Sequence, residues 1–212
     1  MRLVIVFLGL ALLFTVPFLI WGDGFERTFS VEGTGTWLGS FGAWAWMAAI
    51  GLLCADLVLP VPATAVISAL GYQYGVVAGA LIGAGGSFLA GLLAYSICRL
   101  VGPRAAVWIV GERDLERGER FLGRLGGWAV AVSRWMPLLP EVVACLAGMV
   151  RMRFGVFCAA LACGSVPMAL TFAAVGASGE RHPTLAIVLS AVVPVILWPV
   201  ARRVLDRSGE RS

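Results

Sequence analysis

Three ionisable side chains stand isolated within apolar stretches of the chain: Asp56, Arg134 and Glu141. A guanidinium in such a setting is a fixed positive charge whose donors match phosphate or carboxylate oxygens, and a neighbouring carboxylate can pair with it or exchange a proton. At membrane depth each charge costs about 2.5–3.5 kcal/mol on insertion scales, so it is rarely kept without a partner or a function. The functional expectation is that Arg134 attracts a phosphate while Glu141 or Asp56 pairs with it and takes up or releases a proton. The alternative is a buried ion pair that only fixes local structure, and both readings stay open. Thr64, Ser133 and Ser165 could line a polar path or simply bond to helix carbonyls. Cys54, Cys98, Cys145, Cys158 and Cys163 lie in apolar sequence without CxxC or histidine spacing and are expected as small buried side chains. His182, the one histidine, is expected in a turn beside Pro183. With no HExxH, GxSxG or paired histidines, the chain is not expected to be an enzyme or to hold a metal or cofactor.

The charged residues sit beside paired prolines. Ser133–Gly148 reads SRWMPLLPEVVACLAG, and Asp56–Gly71 reads DLVLPVPATAVISALG. Pro137 and Pro140, like Pro60 and Pro62, each remove an amide donor and bias the preceding residue away from helix, so Met136 and Leu139 should lie outside one. The limbs Gly126–Met136 and Glu141–Val150 hold about ten residues each, whereas a crossing helix needs roughly twenty. Broken backbone at that depth is tolerated only against protein or a water-filled cavity, so two re-entrant hairpins with charged tips are expected.

The surrounding elements must be membrane helices. Hydrophobic residues make up 60% of the 212, charged residues 13%, and the mean hydropathy is +0.93. The formal charge of +4 comes from arginines at segment ends, since lysine is absent, and the lack of a basic face with interleaved aromatics argues against nucleic acid. Leu3–Trp21 reads as a retained first span, and Gly22–Ser40 as a glycine-rich external loop. Phe41–Leu59 leads into the first hairpin, whose limb Ala63–Tyr72 is too short to return. Gly75–Val101 reads as a crossing helix on which Gly75, Gly79, Gly83, Ser87 and Gly91 recur every four residues, forming a face for close helix packing. Gly102–Gly127 is the charged loop; Arg113, Arg117, Arg120 and Arg124 keep helical spacing among Leu115, Phe121, Leu122 and Leu125, which suggests a surface amphipathic helix. Phe154–Ser178, with Pro167 inside it, and Leu185–Ala201 complete four crossings, with both termini on the arginine-rich, cytoplasmic side.

Residues 56–102 and 134–179 share one order: ionisable residue, two prolines, short limb, glycine, aromatic, long helix, glycine. Entering from opposite faces, they form an inverted repeat, the pattern of transporters that bind at the midplane. LPVPATAVISALGYQYG, YSICRLVG, SRWMPLLPEVVACLAGMVRMRFGVF and CGSVPMALTFAAVG, within residues 45–180, resemble the VTT domain of the DedA or SNARE-associated Golgi protein superfamily. The resemblance implies an integral membrane protein that moves phospholipids or lipid-linked phosphate carriers between leaflets and supports envelope integrity. It also implies a role for Arg134, which matches the first of two arginines around the family's second hairpin. The second arginine, near Pro140, is absent and Glu141 lies beside it; an acid usual after the first hairpin's prolines is replaced by Thr64, while Asp56 precedes them.

The expectation is therefore an all-α polytopic protein of the cell membrane, with a span and loop over 1–40, a VTT-like domain over 41–180 and a last span and tail over 181–212. Its expected partners are lipids with anionic phosphate headgroups, protons and, as a homodimer, a second copy. A membrane scaffold or assembly factor without transport activity is the alternative.

Overall fold

The computed structural model describes residues 31–57, 61–136 and 139–178. The expected spans Leu3–Trp21 and Leu185–Ala201, His182, and the prolines Pro60 and Pro137 lie outside these residues. The described chain is all helical: α1 (Val31–Gly39), a one-turn 3-10 helix (Gly42–Trp44), α2 (Ala45–Ala55), α3 (Ala63–Val110), α4 (Glu112–Leu125), α5 (Gly127–Ser133), α6 (Leu139–Met149) and α7 (Phe154–Ser178).

α1 replaces with helix the 31–39 part of the loop expected over Gly22–Ser40, of which 22–30 lie outside the described residues. Thr34 and Leu38, four residues apart and so on one helix face, are buried, and α1 packs on α3. The residues 33–39 then turn by 119° into those of 42–55. α2, at 11 residues, rises only about 16 Å and stops at Asp56. After the break, the Pro62 carbonyl accepts from Ala65 N at 2.9 Å and Val66 N at 3.2 Å, opening α3 where a missing N–H costs nothing.

α3 folds back on itself. Gly75 has φ +78°, a left-handed conformation open to glycine. A Cβ added to Gly79 would meet the Gly71 amide nitrogen at 2.7 Å, and one on Gly83 would meet Ile67 at 3.0 Å. Residues eight apart on a straight helix are about 12 Å apart, so arms 63–74 and 76–110 must run antiparallel. The first arm is the return limb of a hairpin begun by α2. The second, apolar to Leu100, is long enough to cross a bilayer, as is the 25-residue α7.

The second hairpin is α5, the turn at Arg134–Met136, and α6. Leu139, expected outside the helix, is the first residue of α6, and Pro140 falls in its first turn, where proline's fixed φ suits the helix. The two halves interlock through matching contacts. Gly71 and Ser68, on the first limb, press on the backbone of Ala173 and against Gly176 of α7; Gly148, on the second limb, presses on the Tyr95 carbonyl of α3, and Cys145 Sγ lies 3.9 Å from the Ala94 carbonyl. Limb positions differ by 77 between the halves and long-helix positions by 78, which is the signature of a repeat. Because α3 and α7 run antiparallel, the hairpins start from opposite ends.

Each hairpin also reaches into the other's core. One apolar cluster is centred on α2, the first limb and the far end of α7, and Trp135 packs on it from the second hairpin's tip. The other is centred on Tyr95, Phe157 and α6, and Leu57 packs on it from the first tip.

Candidate functional site

Arg134 caps the C-terminus of α5, whose seven residues rise about 10 Å, and Asp56 caps that of α2, whose 11 residues rise about 16 Å. Two short helices running in from opposite ends thus carry Asp56 and Arg134 at their inner termini. The Arg134 side chain is only 6% exposed. It lies in a slot cut by two glycines: a Cβ on Gly91 of α3 would meet its Nη2 at 2.7 Å, and one on Gly164 of α7 would meet its Cγ at 2.9 Å. Nη2 donates to the Ser87 carbonyl of α3. Nη1 stands 3.8 Å from Glu141 Oε1, in the first turn of α6, whose side chain is 29% exposed.

Asp56 accepts a hydrogen bond from Val61 N at 3.0 Å, which ties the lip of the first break together. It also lies within electrostatic range of both Arg134 and Glu141. The three residues singled out from sequence are therefore one cluster, assembled from α2, α5 and α6. Fully ionised, it carries two negative charges and one positive. Among the described residues, Arg134 Nε and Ser165 Oγ are buried without a hydrogen-bond partner. An unmet buried donor costs about 1–3 kcal/mol, so Nε is a group to which a ligand oxygen could bind with gain.

The other candidates separate clearly. Ser133 Oγ donates to the Val130 carbonyl at 2.8 Å, a bond within its own helix. Pro62 and Pro140 flank the two breaks. Gly79 and Gly83 pack against the first limb and Gly91 against Arg134, whereas Gly75 has open space around it and serves the turn. The five cysteines are free and partly buried rather than fully enclosed. No cluster of His, Cys, Asp and Glu suited to a metal occurs among the described residues.

Sequence reasoning missed the Ser87 carbonyl and the Gly164 half of the slot. Their signal was a repeated dipeptide, Gly86-Ser87 in one long helix and Gly164-Ser165 in the other. Each glycine admits the helix that leads into its own hairpin: Gly86 faces Leu53 of α2, and Gly164 faces Ala131 of α5.

No curated protein and no solved structure matches this chain. The family model described as VTT domain matches residues 61–178, more than half of the chain, and spans Arg134, Glu141, both glycines of the slot and both long helices. VTT-domain proteins are membrane proteins implicated in lipid and membrane homeostasis. With its apolar helices folded around two broken hairpins and that match across them, this chain belongs to the VTT-domain family of membrane proteins.

Proposed function

We propose that the protein moves phosphate-bearing lipids between leaflets, with the headgroup passing between the two hairpin tips and the acyl chains remaining in the bilayer. The observation that carries this reading is the unpartnered Nε of the buried Arg134 guanidinium, with the Glu141 carboxylate 3.8 Å from its Nη1 and Asp56 within electrostatic range. A phosphate arriving there supplies the missing acceptor and competes with Glu141 for the guanidinium. The cluster's negative excess opposes an anion, so one carboxylate takes up a proton as the headgroup enters and gives it back as it leaves. The slot glycines let Arg134 sit between α3 and α7, on the route this reading assigns to the headgroup.

The arginine distribution supports an orientation for this path. Arg99, Arg113, Arg120, Arg124, Arg151 and Arg153 all lie toward the end from which the second hairpin starts, a bias that supports reading that end as the cytoplasmic one. Reconstitution in vesicles with headgroup-labelled lipid tests the proposal. Transbilayer movement of an anionic phospholipid, faster than in protein-free vesicles, is expected. Unchanged movement of anionic headgroups, together with a stoichiometric protein partner, would favour a scaffold instead.

A further inference from the structure

α6 ends in an unusual way. Met152 N donates to the Ala147 carbonyl at 2.9 Å and Arg151 N to the Gly148 carbonyl at 3.1 Å, the paired bonds that close a helix on a left-handed residue. That residue is Arg151, with φ +54°, the one non-glycine with positive φ among the described residues. Glycine is the ordinary occupant of such a cap, and the first hairpin's turn has one, Gly75. A side chain retained in a strained backbone conformation points to a use for that side chain.

Its surroundings indicate the use. Arg153 follows two residues on, and Arg99 of α3 closes on the residue between them, its Nη1 donating to the Met152 carbonyl at 3.0 Å. Tyr95 holds this arrangement: its hydroxyl donates to the same carbonyl at 2.6 Å, contacts Arg99 Nη1, and its ring stacks on Phe157 with centroids 4.2 Å apart. All three arginines are exposed. Beside them Leu100 is 86% exposed and Phe154 53%, with Ile97 also outward. Two exposed arginines flanking Met152 and a third, Arg99, bonded to the Met152 carbonyl, bordered by bare apolar side chains, suit a ligand with a phosphate at one end and hydrocarbon at the other.

We propose that Arg99, Arg151 and Arg153 form an interfacial site for the phosphate headgroup of an anionic lipid, separate from the Arg134 cluster. The site binds whether or not the protein transports, so its test reads binding. The full chain in zwitterionic nanodiscs is titrated with phosphatidic acid and, separately, with inorganic phosphate, and lipid retention and thermal midpoint are followed. The wild type is expected to retain phosphatidic acid and to unfold at higher temperature with it, while inorganic phosphate has no comparable effect. Arg151→Gly relieves the strained cap, so it should unfold a few degrees higher than wild type without lipid, yet bind phosphatidic acid at least fivefold more weakly. Arg153→Gln should weaken binding similarly, and Arg124→Gln, an equal loss of charge on α4, by less than twofold. Unchanged binding in both Arg151→Gly and Arg153→Gln would overturn the proposal. So would equal weakening by Arg124→Gln, which would mean general charge attraction, or equal stabilisation by inorganic phosphate, which would mean a site without lipid preference.

Discussion

A buried guanidinium beside a carboxylate can be explained by structure alone, and removing one partner does not distinguish the readings. Either single truncation strands a charge and costs about 3–5 kcal/mol of stability, taking activity with it. Replacing both partners by apolar side chains of similar size is often neutral for folding. Arg134→Met with Glu141→Leu is therefore expected to give a folded protein, with a thermal midpoint within a few degrees of wild type, and transbilayer lipid movement reduced at least tenfold. Full transport in that double variant would reduce the pair to a fastener. The residue types were legible in sequence because a charge in an apolar run is conspicuous. What sequence could not supply was the cavity around Arg134, since Gly91 and Gly164 lie 73 positions apart and meet only through the crossing of two helices.

At the scale of elements, the hairpins were legible because proline pairs and ten-residue limbs follow from covalent geometry and bilayer thickness. The loop assigned to Gly22–Ser40 was not, because its helix α1 is stabilised by tertiary burial of Thr34 and Leu38 rather than by local propensity. The glycine stripe was read as one packing face, yet its first member is a turn. This distinction has a measurable consequence. Gly75→Ala meets no neighbour but places a Cβ at φ +78°, so it should cost about 1–2 kcal/mol in thermal or denaturant unfolding. Gly85→Ala, also in open space but at ordinary helical φ, should be neutral or stabilising by up to about 1 kcal/mol. Equal effects from the two would mean that α3 does not reverse at Gly75.

For the molecule as a whole, the repeat was visible as an order of residues, and the structure adds how the halves engage. Cys145 of the second half's limb lies 3.9 Å from the Ala94 carbonyl of the first half's long helix, which brings it near Cys98 one turn further on. In a variant with Cys54, Cys158 and Cys163 changed to serine, mild oxidation should therefore join the peptides bearing Cys98 and Cys145, as read by mass spectrometry; recovery of both as free thiols would argue against this packing. The exchanged tips carry a further consequence. Trp135 is seated in the neighbour's apolar cluster and Leu57 in the reciprocal one, so neither broken segment can tilt without levering its counterpart. Under the lipid movement proposed above, a tilt of one hairpin toward its leaflet is expected to carry the other with it, like the two ends of a single see-saw.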